Sequence, residues 1–239
     1  MGAVRARVDA IRTEWHERGA PYEVAKLLTV PARRVLVRLR VEGADNLPVD
    51  GPAILAANHL SFFDSVLLMF SLPRQVCMLG KAEYTDRRFT NWLFCGAGMI
   101  PVRRENLGDT KHALDEVRAA LDHGHAIGVF PEGTRSRDGK LHRGHSGAAH
   151  LSLVTGAPLI PVGLEGTDSI LPSGARIVRP FRTATIRIGP PIVPAELGHA
   201  RSTNRARREV TDQLMDQIRH LSRQAYLDEF APIPGHAHA

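Results

Sequence analysis

A histidine and an aspartate lie close together in the segment Asn58-His59-Leu60-Ser61-Phe62-Phe63-Asp64. The segment follows the apolar run Ala53–Ala57 and precedes a helix predicted to begin at Ser65. Across such a turn, the carboxylate can accept one ring N–H of the imidazole, which leaves the other ring nitrogen free to take a proton from a hydroxyl group. The alternative interpretation is that Asp64 caps the helix and His59 is an ordinary core residue.

Basic residues follow three further apolar runs of the chain. The run Ala126–Phe130 leads into Pro131-Glu132-Gly133-Thr134-Arg135, where a guanidinium stands beside a glycine and a hydroxyl group. This combination suits a phosphate, because the guanidinium offers paired planar donors. Two more strand ends carry Lys81, Arg103 and Arg104. Each alone is consistent with solvated surface charge, but together with His59 they predict a pocket for an anion.

An α/β fold would bring these strand ends together. Short apolar or alternating runs predict strands at 35–42, Ala53–Ala57, Gln75–Leu79, Met99–Val102, Ala126–Phe130, Leu159–Leu164 and Thr185–Ile188. Helical spacing predicts helices at Ser65–Phe70, Asp86–Phe94, Asp109–His123, His145–Val154 and Arg201–Asp228, the last either continuous or broken once. This alternation predicts an α/β fold with a largely parallel central sheet covered by helices. Functional sites of such folds gather where strands end and loops begin.

The first residues of the chain differ from the rest. Val4, Val8, Ile11 and Trp15 recur at helical spacing among arginines, which predicts an N-terminal helical pair. The pair packs on the core, forms an interfacial membrane anchor, or does both. We therefore predict an N-terminal helical or membrane-interface segment at 1–34, one α/β domain at 35–230 and a flexible tail at 231–239.

Four motifs occur in order along the chain: Asn58-His59-x4-Asp64, Gly98-Met-Ile-Pro-Val-Arg-Arg104, Phe130-Pro-Glu-Gly-Thr-Arg135 and Leu159-Ile-Pro-Val162. This set resembles the four ordered blocks of the glycerolipid acyltransferases of the 1-acylglycerol-3-phosphate (lysophosphatidate) acyltransferase type. The resemblance spans roughly Arg40 to Thr167. One block alone would be weak support, whereas four in order are specific.

The resemblance implies an enzyme that moves a fatty acyl chain from an acyl thioester, acyl-CoA or acyl-ACP, to a hydroxyl of glycerol 3-phosphate or 1-acylglycerol 3-phosphate in phospholipid biosynthesis. It implies that His59 is the general base and that Asp64 orients it. Arg104 and Arg135 would bind the acceptor phosphate, with Lys81 as a lesser candidate. Counting from Gly98 favours Arg104, and the adjacent Arg103 remains an alternative.

The remaining motif residues receive secondary roles from the same resemblance. Glu132 and Gly133 would shape the glycerol site, with Thr134 in the same loop, and Pro161 would belong to the acyl-side or structural block. Asn58 would contact substrate, and backbone N–H groups at the helix that follows it would form an oxyanion hole. The resemblance implies no metal and no resident cofactor, because the acyl thioester is a co-substrate.

The charge of the chain suits an anionic partner. Its 239 residues include 31 Lys and Arg against 25 Asp and Glu, a formal net charge of +6. Two cysteines exclude a disulfide framework, and no stretch is apolar enough to span a membrane. We therefore expect peripheral attachment to an anionic surface at the cytoplasmic face of the membrane. Two arginine clusters could provide it: Arg176, Arg179, Arg182 and Arg187, and Arg201, Arg205, Arg207 and Arg208.

The sequence also contains features typical of three other functions. Gly144-His145-Ser146-Gly147-Ala148 resembles the nucleophile elbow of a serine hydrolase, but it ends in alanine and follows the charged segment Lys140–Arg143 rather than a strand. The arginine clusters could bind nucleic acid, but no sequence signature of such a module accompanies them. The pairs His123/His125, His142/His145 and His236/His238 have spacings that occur in metal sites. No cysteine or carboxylate pattern completes a tetrahedral set of ligands with them.

Overall fold

The computed structural model describes residues 37–81, 98–102, 107–172, 177–193 and 203–232, and the single positions Leu27, Ala175 and Ala195. The described strands are β1 (Val37–Glu42), β2 (Ala53–Ala57), β3 (Val76–Lys81), β4 (Met99–Val102), β5 (Ala126–Val129), β6 (Leu141–His142), β7 (Leu159–Glu165), β8 (Arg182–Ile188) and β9 (Tyr226–Leu227). The helices are α1 (Phe63–Ser71), α2 (Leu107–Asp122), α3 (Gly147–Thr155), α4 (Thr167–Ile170) and α5 (Asn204–Ser222). The predicted N-terminal helical pair, apart from Leu27, and the predicted helix Asp86–Phe94 lie outside the described residues, as does most of the predicted tail.

Seven strands form one sheet in the order β1-β8-β7-β2-β5-β3-β4. Strands β7, β2, β5, β3 and β4 are mutually parallel. Strand β8 runs antiparallel to β7, and β1 pairs with β8 in parallel. The prediction of an α/β fold with a largely parallel sheet covered by helices is therefore confirmed.

The central strand β2 is apolar along its whole length because both of its faces are covered. Ala53, Leu55 and Ala57 pack on one face of the sheet with Leu67 and Leu68 of α1. Ile54 and Ala56 pack on the other face, where α2, α3 and α5 lie. Each position of β2 is buried, which explains why its sequence shows no alternation of polar and apolar residues.

Strands β2 and β5 are neighbours, but the helices that follow them cover opposite faces of the sheet. The chain leaves β2 toward α1 and leaves β5 toward α3, so the connections of two neighbouring parallel strands lead to opposite faces of the sheet. α/β folds place their ligands at such a point of the carboxyl edge. The loop after β2 carries His59 and Asp64, and the loop after β5 carries Arg135.

Two predicted boundaries are wrong near the C-terminus. The helix predicted at Arg201–Asp228 begins at Asn204 and ends at Ser222, because Arg223 takes a left-handed conformation (φ 61°) and its N–H bonds to the carbonyl of Arg219. The chain then turns back, and Tyr226 pairs with Leu141 in a small two-stranded sheet. The segment Lys140–Arg143, predicted as a loop, thus contains the short strand β6.

Within the described residues, no helix combines the length and apolar character needed to cross a bilayer.

Candidate active site

His59 and Asp64 form an imidazole–carboxylate pair. His59 Nδ1 lies 2.9 Å from Asp64 Oδ2, and the side chains are 15% and 0% exposed. Asp64 belongs to the first turn of α1, while Phe62 is the N-cap residue and makes no side-chain cap bond. The predicted pairing is confirmed, and the alternative in which Asp64 serves only as a helix cap is wrong.

The surrounding turn determines which ring nitrogen of His59 is free. Asp64 Oδ2 also accepts the backbone N–H groups of Leu60 at 2.7 Å and Ser61 at 2.8 Å. An ionised carboxylate only accepts hydrogen bonds, so His59 Nδ1 must carry a proton and donate it to Asp64. Nε2 of the neutral ring is then an acceptor. The pair can therefore take a proton from a hydroxyl group brought to Nε2.

The His59 ring also stacks on Phe130. The two ring centroids are 3.7 Å apart with an interplanar angle of 7°. Stacking restricts rotation of the imidazole and so complements the hydrogen bond to Asp64. Phe130 received no role from the sequence, although it opens the third motif directly after β5. The sequence signal that could have identified Phe130 is an aromatic residue at the first position of the third motif.

Glu132 links the loop after β2 to strand β6. Its Oε1 accepts the backbone N–H of His59 and its Oε2 accepts that of His142, each at 3.0 Å. The side chain is buried, and both carboxylate oxygens are occupied by protein donors. Glu132 therefore holds the backbone of His59 in place. Its predicted contact with glycerol stays a prediction.

Burial raises the pKa of the Glu132 carboxyl to about 7, although the amides of His142 and His59 oppose the rise. The raised pKa means that the folded state binds this proton more tightly than the unfolded chain does. The contribution of Glu132 to the free energy of unfolding should therefore fall as the pH rises from 4.5 to about 7. The total change is about 3 kcal/mol at most.

Replacing Glu132 with glutamine tests this linkage, because glutamine has no titratable proton. We expect the free energy of unfolding of Glu132→Gln, minus that of the wild type, to increase with pH across the same window. Urea unfolding at several pH values measures the difference. A difference that stays constant with pH would contradict the assignment.

Asn58 fastens the end of β2 to β7. Its side-chain amide donates to the carbonyl of Leu164 at 2.9 Å and its Oδ1 accepts the N–H of Leu164 at 2.7 Å. The same amide group donates to Gln224 Oε1 at 2.8 Å. Asn58 is fully buried and its side chain extends the strand pairing, and its predicted contact with substrate stays a prediction. Gln224, which follows α5, was missed because no motif surrounds it.

The amides after Asn58 are also occupied. Those of Leu60 and Ser61 donate to Asp64, that of His59 donates to Glu132, and that of Phe63 donates to Ser61 Oγ at 3.1 Å. The turn uses these four amides to hold the imidazole–carboxylate pair. The expected oxyanion hole, at the backbone N–H groups of the helix that follows Asn58, stays a prediction.

The loop after β5 meets the loop after β2 directly. The N–H of Ser136 donates to the carbonyl of His59 at 2.7 Å. Arg135 and Thr134 are half-buried beside it, and Arg135 forms no ion pair with any described carboxylate. Gly133 has φ 73°, and a Cβ atom there would come within 3.2 Å of His145 Cδ2. The predicted convergence of these two loops is confirmed.

The remaining predicted residues lie at the same edge, within β7 or outside the described residues. Lys81 ends β3 and pairs with Val102 of β4, so its backbone lies at the carboxyl edge. Arg103 and Arg104 lie outside the described residues. Pro161 is a buried residue of β7, and its carbonyl accepts the N–H of Gly189 at 2.9 Å.

The structure shows the local positions of the serine and the histidines that suggested a hydrolase or a metal site. Ser146 precedes α3 as its N-cap residue, four residues beyond the end of the short strand β6. His142 Nε2 bonds to Asp138 at 3.1 Å, and the His145 ring stacks on Phe230. Across the described ranges, no group of three or more His, Cys, Asp or Glu side chains is arranged to hold a metal ion.

Comparison with known proteins adds an independent observation. Residues 38–198 match the family model described as acyltransferase, which covers more than half of the chain. The chain belongs to the acyltransferase family. The matched region includes both loops of the site, but Gln224 and helix α5 lie outside it.

Similar proteins within the acyltransferase family carry related names. The chain is 29% identical over 185 residues to the chloroplastic 1-acyl-sn-glycerol-3-phosphate acyltransferase LPAT1 of Arabidopsis thaliana, covering 77% of this chain and 50% of that protein. It is 28% identical to the alpha form of that enzyme from Mus musculus, covering 83% and 67%. The crystal structure of the 1-acyl-sn-glycerophosphate (LPA) acyltransferase PlsC from Thermotoga maritima superposes with a TM-score of 0.68 at 26% identity, covering 92% of this chain and 87% of that chain. This chain thus spans about half the length of the Arabidopsis relative.

Proposed function

We propose that this acyltransferase moves an acyl chain from an acyl thioester, acyl-CoA or acyl-ACP, to a hydroxyl of glycerol 3-phosphate or 1-acylglycerol 3-phosphate, as a step of phospholipid biosynthesis. The observation that carries the proposal is the His59–Asp64 pair at the carboxyl edge of the sheet, beside the loop of Arg135. The names of the relatives support the acceptor class.

His59 is the proposed general base. Its Nε2 takes the proton of the acceptor hydroxyl while the oxygen attacks the thioester carbonyl carbon. The tetrahedral intermediate then collapses, the C–S bond breaks, and the proton passes from the imidazolium to the leaving sulfur. Thiols have a pKa of about 8.5, so the thiolate leaves readily and no covalent enzyme intermediate is required. Asp64 holds the ring in orientation and stabilises its positive charge during transfer.

Arg135 is the proposed ligand of the acceptor phosphate, together with Arg104 and, as a lesser candidate, Lys81. The guanidinium of Arg135 is not engaged by a described carboxylate, and its loop is hydrogen-bonded to the backbone of His59. A phosphate bound there would present a neighbouring hydroxyl to the imidazole. We propose that the protein works peripherally at the cytoplasmic face of the membrane and requires no resident cofactor.

A direct assay tests this function. Purified protein is incubated with a labelled acyl thioester and a panel of glycerol 3-phosphate, 1-acylglycerol 3-phosphate and other lysolipids, and the position of the acyl group in each product is determined. Transfer to a phosphate-bearing acceptor supports the proposal. Hydrolysis of the thioester without transfer, or preference for an acceptor that lacks phosphate, would contradict it.

Substituting Arg135 with alanine should weaken binding of the acceptor specifically. Loss of a charge-assisted bond to phosphate removes about 1.5–3 kcal/mol, which corresponds to a rise in the KM for the acceptor of about tenfold or more. The KM for the acyl thioester should change little. Steady-state kinetics with each substrate varied in turn measure the two constants, and Arg137→Ala, in the same loop but exposed, is the matched control. An equal rise in both KM values would remove Arg135 from the phosphate site.

A further inference from the structure

Residues Ile177, Arg179, Phe181 and Arg182, here called the 177–182 surface, place large apolar side chains in solvent. Ile177 is 81% exposed and Phe181 is 73% exposed. Between them, Val178 is half-buried and packs against the core, which anchors the segment. Two bulky apolar side chains projecting from an anchored segment indicate a surface that contacts a partner.

The 177–182 surface lies at the same edge of the sheet as the candidate active site. Strand β8 is antiparallel to β7, with Glu165 opposite Thr185, so the start of β8 at Arg182 extends beyond the carboxyl end of β7. That end of β7 lies at the same edge of the sheet as the carboxyl ends of β2 and β5, because these three strands are parallel. The surface therefore lies at the edge of the sheet that carries His59.

Hydrogen bonds connect the surface to the catalytic loop. The N–H of Arg179 donates to the carbonyl of Ile170 at 2.8 Å. The next residue, Leu171, accepts a hydrogen bond from Ser61 Oγ at 2.6 Å. Ser61 lies in the turn between His59 and Asp64. The segment that carries Ile177 and Phe181 is thus connected, through Ile170 and Leu171, to the turn that carries His59 and Asp64.

The 177–182 surface carries an excess of positive charge. Arg179 and Arg182 are exposed and form no ion pair with any carboxylate in the described part of the chain. Other arginines of the predicted basic clusters are paired: Arg187 bonds to Glu42 at 3.1 Å and to Glu165 at 2.7 Å, and Arg205 and Arg208 pair with carboxylates of their own helix. Arg179 and Arg182, beside Ile177 and Phe181, are therefore available for an external anion.

The backbone at Phe181 is in a conformation that a bulky residue rarely adopts. Its φ is 60°, in the left-handed region that favours glycine. An aromatic side chain at such a position is strained and gains little from packing, because it is exposed. The Phe181 side chain therefore adds little to the stability of the fold. A contact with a partner outside the molecule explains why an aromatic residue is present there.

We infer that the 177–182 surface binds an anionic lipid bilayer, with Ile177 and Phe181 entering the interface and Arg179 and Arg182 contacting the headgroups. This inference rests on the proposed function, since the acceptor is then a lipid that His59 must reach at the membrane. Apolar side chains with a basic rim are the features of peripheral membrane attachment. The surface would direct the carboxyl edge of the sheet toward the bilayer.

Sedimentation of the full chain with vesicles tests the inference. We compare Ile177→Ser/Phe181→Ser and Arg179→Gln/Arg182→Gln with the control Val49→Ser/Arg118→Gln, whose side chains lie toward the opposite edge; Val49 is 82% exposed. On vesicles of phosphatidylcholine and phosphatidylglycerol, the apolar double variant should lose about tenfold in partitioning. The arginine variant should lose about fivefold for each residue, and less at high salt. On phosphatidylcholine alone the arginine effect should disappear, and the control should bind as the wild type does.

A second measurement separates surface contact from folding. Phe181→Gly relieves the strained backbone, so its melting temperature should not fall below that of the wild type while its vesicle partitioning falls. If all three surface variants bind vesicles as the wild type does, the inference is overturned. It is also overturned if the wild type is a dimer that the variants convert to monomers without change in vesicle binding. The sedimentation assay needs no turnover, so loss of vesicle binding in these variants would support the surface even if the wild type transferred no acyl chain.

Discussion

His59→Ala should lower kcat for acyl transfer by about 10²–10⁴-fold or more, the range that a positioned general base contributes. The ring is the group whose free Nε2 would take the hydroxyl proton, and among the described residues no other titratable side chain is bonded to Asp64. The KM for either substrate should change little, because the ring acts on the reacting hydroxyl rather than on the phosphate or the acyl chain. Rates at saturating substrates give the comparison.

The fold should tolerate this substitution. Removing the ring costs its stacking on Phe130, worth about 0.5–1.5 kcal/mol, and Asp64 keeps its two backbone donors. Circular dichroism and urea unfolding check that the variant remains folded, and His123→Ala, which removes an exposed histidine, serves as the control. Full activity of His59→Ala would refute the assignment of the base.

Asp64 offers the second large effect, and two substitutions separate its roles. Asparagine retains an oxygen at the position of Oδ2, so it can still accept the N–H groups of Leu60 and Ser61 and the ring proton of His59. It removes only the negative charge that stabilises the imidazolium, and we expect kcat to fall by about 10²-fold. Alanine removes the acceptor altogether and should lower kcat by about 10³–10⁴-fold.

Stability should separate the two variants in the same order. In Asp64→Ala, the buried amides of Leu60 and Ser61 lose their acceptor, and each unsatisfied amide costs about 1–3 kcal/mol. In Asp64→Asn both amides keep a partner, so the loss should be smaller. Urea unfolding measures both, with Ser65→Ala in the same helical turn as a control. Equal activity of the asparagine variant and the wild type would contradict a role for the charge.

The structure connects the active-site turn to parts of the chain far from its motif. Glu132 reaches the backbone of His59 from the loop after β5, and Gln224 reaches Asn58 from beyond α5. The site therefore depends on residues both inside and outside the region matched to the acyltransferase family. Several motif residues proved to support the turn: Asn58 holds β7, and the amides that follow it hold carboxylates.

The sequence by itself determined the order and type of the main strands and helices of the described sheet and the loops that carry chemistry. Strands β2 and β5 are short, continuous apolar runs, and helix α2 repeats its apolar residues at helical spacing, so local patterns were sufficient to predict them. The pairing of His59 with Asp64 was predictable for the same reason, because both residues belong to one turn. Placing Arg135 at the same edge required only that the strands be parallel.

Only the tertiary structure decided which groups occupy the donors and acceptors around that pair. The partners of Asn58 lie 106 and 166 positions away in the chain, at Leu164 and Gln224, and Glu132 lies 73 positions from His59. A single long-range hydrogen bond leaves no periodic pattern in the sequence, and its geometry depends on how the whole sheet is assembled. For the same reason the exposure of Ile177 and Phe181 at the carboxyl edge could not be predicted, since it follows from the antiparallel direction of β8.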